Sequence, residues 1–93
     1  MKAESFINYS AYTQVFDIKR LKFIETAVRS MGKSHLRILE IGCGNGNISY
    51  QLAHGGHHVL GIDIDTISIQ KATSSFHLEN LQFKVMDVCE YLV

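Results

Sequence analysis

The apolar positions of the chain change their spacing several times, and each change marks an element. Between Asp17 and Gly32, the residues Leu21, Ile24, Val28 and Met31 fall on one helical stripe. Asp17 is placed to cap its start, and Gly32 to end it in a left-handed conformation. Ahead of it, Phe6, Tyr9 and Tyr12 recur every three residues. They suit a short helix packed on the domain or a flap over a ligand. In "LRILEI" (36–41) the spacing collapses: Leu36, Ile38, Leu39 and Ile41 make a strand apolar on both faces, as in a buried parallel sheet. Helical spacing returns over 47–54, with Ile48, Leu52 and Ala53 inward, and stops at Gly55 and Gly56. "HHVLGID" (57–63) is a second strand that ends in an acid. "TISIQKATSSF" (66–76) is a further helix, with Thr66 as cap and Ile69, Ala72 and Phe76 inward. "ENLQFKVMD" (79–87) holds a third strand, again ending in an acid, and "VCEYLV" starts another element.

Strand, helix, strand, helix, strand at this spacing is α/β: half of a Rossmann-like, doubly wound parallel sheet with right-handed crossovers. Residues 1–33 form an N-terminal helical segment and 34–93 the α/β half-domain. Ligands of such sheets bind beyond the carboxyl ends of the strands. The glycine loop after the first strand, Asp63 after the second and Asp87 after the third all fall on that edge.

Composition narrows the partners. The chain has 93 residues, enough for one small domain. Nine basic residues balance nine acidic ones, so no net charge draws it to nucleic acid. No apolar run approaches the roughly 20 residues that span a bilayer, and "MKAESFINYS" has no signal core. A cytoplasmic protein with free thiols at Cys43 and Cys89 is expected. Cys43 lies in the glycine loop, where a small residue fits, with no histidine placed by sequence to activate it. His54, His57 and His58 have ligand-like spacing, but they sit at the edge opposite the glycine loop and read as a surface turn. His35 and His77 have no evident partner.

Gly42, Gly44 and Gly46 allow a sharp strand-to-helix turn, close approach of a ligand to the main chain, and helix-start amides that can meet a negative group. Asp63 follows Gly42 by 21 positions, where a carboxylate can accept both hydroxyls of a ribose. Together they indicate an adenosine-type ligand. Dinucleotide sites want G-x-G-x-x-G, but here Asn47 stands in the place of the late glycine. Glu40, inside the strand, would repel a pyrophosphate and would suit an ammonium group.

At these residues the sequence resembles the class I S-adenosylmethionine-dependent methyltransferases. "LEIGCGNGNIS" resembles their first motif, "VLGIDID" the second and "LQFKVMDV" the third, over a region from about Leu21 to the C-terminus. The resemblance implies S-adenosyl-L-methionine as cofactor. Glu40 would orient its methionine end through the ammonium, and Gly42, Cys43 and Gly44 would let the backbone pass along its methionine and ribose parts. Asp63 would hold the ribose hydroxyls and Ile64 would line the adenine face. Asp87 would accept from the adenine amino group, and the Val88 amide would meet a ring nitrogen. Asp65 is given a capping or solvated role. Methyl transfer is an in-line displacement governed by positioning, and needs neither metal nor covalent intermediate.

The family fold has seven strands, of which this chain would hold the first three. It is therefore expected to be the cofactor-binding N-terminal portion of a longer methyltransferase acting on a small-molecule acceptor, and inactive alone. The family's fourth strand would cover one side of the first, and without it the first is expected to be an open apolar edge, prone to self-association. Two other readings stand beside this one. An NAD-binding dehydrogenase fragment predicts a nicotinamide dinucleotide as ligand. A non-catalytic interaction module predicts no adenosine ligand and a stable oligomer.

Overall fold

The computed structural model describes residues 15–32 and 35–92. The aromatic run Phe6, Tyr9 and Tyr12 lies outside them. Seven elements follow one another: α1 (Val15–Ser30), β1 (Arg37–Ile41), α2 (Asn47–His54), β2 (His58–Asp63), α3 (Thr66–Ser75), β3 (Leu81–Val85) and α4 (Val88–Leu92). The strands form one parallel sheet in the order β1-β2-β3. Its register aligns Ile38 with Val59 and Val59 with Leu81, and places Gly61 between Glu40 and Phe83.

Most of the core gathers on one face of this sheet, with Ile62 buried on the other. Leu52 and Ala53 of α2 meet Val59 and Leu81, with Ile24 and Val28 of α1 and Ile38, Ile48 and Phe83 packed around them. On α3 the inward residues Ile69 and Ala72 are buried, and Phe76 stacks on Tyr50 with ring centroids 4.5 Å apart. Side chains alternate along a strand, so Leu39 and Ile41 point to the opposite face. There Leu39 is half-buried and Ile41 is 57% exposed, which corrects the reading of β1 as buried on both faces. The reason is that α1, α2 and α3 all contribute to a core on the Ile38 side.

Other boundaries shift for local reasons. Asp17 lies inside α1, because nothing at Val15 or Phe16 breaks the helix before it. Met31 lies past the helix end and is exposed, whereas Gly32 does turn left-handed there, at φ 68°. Asp65, not Thr66, caps α3: its carboxylate accepts from the amides of Ile67 (3.0 Å) and Ser68 (3.4 Å). His57 is not on a surface turn. It is 4% exposed, and its Nδ1 accepts the Leu36 amide at 3.0 Å. His35 meets the Gly56 carbonyl at 2.9 Å. Asn80 donates to the carbonyls of Ala53 and His57, both at 2.7 Å, and ties the start of β3 to the end of α2.

Candidate functional site

The glycine loop is shaped by β2. The amides of Gly42 and Cys43 both donate to the Ile62 carbonyl, at 2.8 and 3.0 Å, which holds the chain to the sheet as β1 ends. The Gly44 amide then donates to Asp63 Oδ2 at 2.9 Å, and the Asp65 amide donates to Asp63 Oδ1 at 2.9 Å. One carboxylate thus bridges the loop after β1 and the turn after β2. These two amides, Asp65 first, hold the Asp63 carboxyl below its ordinary range, so it stays an anion.

The glycines divide the work. Gly44 has φ 56°, and a Cβ there would meet nothing within 4 Å. Gly46 has φ 85°, and a Cβ there would lie 2.5 Å from Phe83 Cζ and 2.9 Å from Ala72 Cβ. Gly44 keeps the open side of the loop bare, and Gly46 lets α2 start against α3 and β3. Beside the loop is a cavity of about 280 Å³, with Arg20 of α1, Gly42, Cys43, Gly44, Asn45 and Asn47 among its walls.

Glu40 projects from β1 to the helix-covered face, where the Ser49 hydroxyl donates to its Oε1 at 2.9 Å. Burial raises its carboxyl above the ordinary value, and the Ser49 hydrogen bond and the Arg20 charge oppose the rise. Burial, then the charges of Glu40 and Asp63, push the Cys43 thiol up to about 11. Cys43 is therefore a buried thiol held in its neutral, weakly nucleophilic form.

Glu40, Gly42, Cys43, Gly44 and Asp63 are thus brought into one neighbourhood. The other candidates share the sheet edge without a bond to the loop. Ile64 follows β2 and is 73% exposed. The Met86 amide donates to the Asp63 carbonyl at 3.0 Å, which brings the end of β3 beside that of β2. Asp87 caps α4 through the Cys89 amide at 2.8 Å, and Val88 opens that helix, half-buried. Two residues escaped the sequence reading. Ser49 is fully buried; it lies three positions before Leu52 on the inward stripe of α2, a signal that only a polar partner on the facing strand explains. Arg20 adjoins Leu21 on α1 and carried no such signal. Among the described residues, no group of three or more His, Cys, Asp or Glu could hold a metal ion, and no helix is long and apolar enough to cross a membrane.

Residues 32–92 match the family model of the methyltransferase domain. A ubiquinone biosynthesis O-methyltransferase of Coxiella burnetii is 35% identical over 71 residues, which cover 76% of this chain and 28% of that protein. A tRNA/tmRNA (uracil-C(5))-methyltransferase of Idiomarina loihiensis is 32% identical over 73 residues, 78% of this chain and 20% of its own length. Among solved structures, a TehB-like SAM-dependent methyltransferase from Corynebacterium glutamicum aligns with a TM-score of 0.61 at 32% identity, over 85% of this chain and 39% of that one. The parallel sheet with its flanking helices defines a Rossmann-like α/β fold. The chain belongs to the S-adenosylmethionine-dependent methyltransferase family, as its three motifs implied. It spans about a quarter of the length of the Coxiella relative.

Proposed function

We propose that this chain binds S-adenosylmethionine at the carboxyl edge of its sheet and serves methyl transfer to a small-molecule acceptor. The observation that carries the reading is the Asp63 carboxylate, bonded to the glycine-loop amide of Gly44 and kept anionic there. A carboxylate offers about four acceptor positions, and two backbone amides leave room for ribose hydroxyls. The bare side of Gly42 and Gly44, where a Cβ would meet nothing, fits a ligand lying along the main chain. When bound, the cofactor supplies an electrophilic methyl group on a sulfonium.

The chain's own residues would hold and orient that group. Glu40 presents a carboxylate suited to the ammonium, and Arg20 on the cavity wall suits the carboxylate of the same amino-acid end. Ile64 offers an exposed apolar side chain to an adenine face, and Asp87 and the Val88 amide offer an acceptor and a donor to its edge. The small-molecule acceptor is supported by the balanced charge and by the name of the ubiquinone-pathway relative. The relative named for tRNA and tmRNA makes RNA the competing acceptor. Two free cysteines support a reducing, cytoplasmic setting. Among the described residues β1 pairs only with β2, which supports self-association through its outer edge.

The test is calorimetric titration with S-adenosylhomocysteine, with NAD as control, on the whole chain and on Ile64→Ser. S-adenosylhomocysteine is expected to bind and NAD not. Ile64 is exposed, so its replacement leaves folding intact; losing about 1–1.5 kcal/mol of apolar burial on the ligand weakens binding roughly 5–13-fold. Binding of NAD in preference, or of neither ligand by the folded protein, would refute the reading.

A further inference from the structure

Ser49 combines features that a packing residue does not need. It is fully buried, beside the apolar Leu52 and Ala53 and the polar Gln51 on the buried side of α2, and its hydroxyl reaches the side chain of a strand residue. The fold makes room for it. A Cβ on Gly61 would lie 2.9 Å from Ser49 Oγ and 3.0 Å from Cys43 Cβ, so the bare backbone of β2 lets the hydroxyl pass between strand and helix. An alanine at 49 would pack as well in an apolar seam without burying a polar atom. The hydroxyl spends its proton on Glu40 Oε1, leaving most of that carboxylate's acceptor positions unused.

We propose that Ser49 is a positioning residue, which fixes the Glu40 carboxylate in one orientation for a cationic, ammonium-type group of the ligand. The inference rests on the function proposed above and adds to it the residue that orients the acid. A half-buried carboxylate on a strand has several rotamers open to it. A hydroxyl from a neighbouring, fully packed helix selects one of them before the ligand arrives, and such preorganisation removes an ordering cost from binding. The same bond favours the ionised carboxylate, against the burial that disfavours it. The other charged group acting on this carboxylate is Arg20 from α1, which also favours the anion, while Asp63 at the end of β2 acts with Glu40 on the Cys43 thiol. His57 lies at the opposite end of β2 from Asp63.

The experiment compares the whole chain with Ser49→Ala and Ser49→Cys. The cysteine keeps the shape but is a weak donor. Two readouts are taken from pH 4 to 8: the titration of the Glu40 carboxyl carbon by NMR in the free protein, and the affinity for S-adenosylhomocysteine by calorimetry. Ser49→Ala is expected to move the Glu40 titration to higher pH, to move the acid-side loss of binding with it, and to weaken binding about tenfold at pH 7. Ser49→Cys is expected to fall between the two. In a Glu40→Gln background, Ser49→Ala should cause no further shift of the pH profile. A Glu40 titration unchanged in folded Ser49→Ala, or one binding profile common to both proteins, would overturn the Ser49 role while leaving the cofactor reading intact. Absence of binding by the unsubstituted protein would overturn the proposed function, and the ligand role of Ser49 with it.

Discussion

The division of work among the glycines can be measured by placing the same methyl group at Gly44 and at Gly46. Both residues have positive φ, so either alanine carries the left-handed penalty of about 1–2 kcal/mol. Both alanines also stiffen the unfolded chain, which offsets about 0.4–1 kcal/mol in each. The difference between the variants therefore isolates packing. At Gly44 the methyl group enters open space. At Gly46 it would meet Phe83 Cζ at 2.5 Å and Ala72 Cβ at 2.9 Å. The Phe83 ring can swing away, at the expense of its contacts with the core, but the Ala72 Cβ is fixed to α3. Overpacking of this kind costs about 1–3 kcal/mol. A chain of this size has a total stability of about 5–14 kcal/mol. With a urea dependence of about 1.5 kcal/mol per molar, Gly46→Ala should unfold at a midpoint roughly 0.7–2 M below that of Gly44→Ala. Equilibrium urea unfolding followed by far-UV circular dichroism reads this directly. Equal midpoints, or a lower one for Gly44→Ala, would show that α2 does not need its close approach to α3 and β3. The order should reverse for the ligand: Gly44→Ala puts its methyl where the cofactor is to lie, and should lose more affinity for S-adenosylhomocysteine than the destabilised Gly46→Ala does in its folded fraction.

Two further outcomes follow from residues away from the loop. His57 is buried and its Nδ1 accepts an amide proton, and burial, then the His35 charge, lower its pKa in the folded state. The unfolded chain therefore binds its proton more readily, and stability should fall as pH drops below the unfolded value of about 6.5 toward the lower folded one; in His57→Asn, whose side-chain oxygen can still accept from Leu36, the urea midpoint should be flatter across that window. Removing the α3 cap with Asp65→Ala should cost about 1 kcal/mol, because two helix-start amides lose their acceptor; thermal unfolding with no change in midpoint would show that water replaces the cap.

The fold was legible because each of its elements writes its own spacing. The run Leu36–Ile41 and the stripe Ile48, Leu52, Ala53 are short and clean, and the structure places β1 and α2 within a residue of those readings. What periodicity could not see was polarity turned inward. Ser49 and Gln51 are buried on α2, yet a stripe counted in apolar residues passes over them. His57 was read as a turn residue because it lies between a helix and the next strand, on the edge opposite the glycine loop, whereas the turn ends at Gly56 and His57 is already buried. The exposure of Ile41 had a different origin. Apolar character on both faces of a strand says what the strand can bury, and which face is covered is decided by helices distant in sequence. The site was legible to a similar depth. The offset from Gly42 to Asp63 pointed to the carboxylate, but not to the backbone amide that each of its oxygens accepts.

That last feature changes what Asp63 can be asked to prove. A residue identified for its reach toward a ribose is also the bond that sets the shape of the glycine loop and of the turn before α3. Alanine at this position would remove both acceptors. Asparagine would keep one oxygen, but would present an amide donor to either the Gly44 or the Asp65 N–H. Any loss of binding in such variants mixes ligand contact with loop geometry. The two roles belong together physically: a carboxylate already held by two amides needs no reorganisation when a ligand arrives, so the bonds that fold the edge of the sheet also preorganise it. Ile64 makes no such contribution to the loop and is open to solvent. The affinity of Ile64→Ser therefore reports on the ligand's position with the architecture left in place, and a site on this edge must register it.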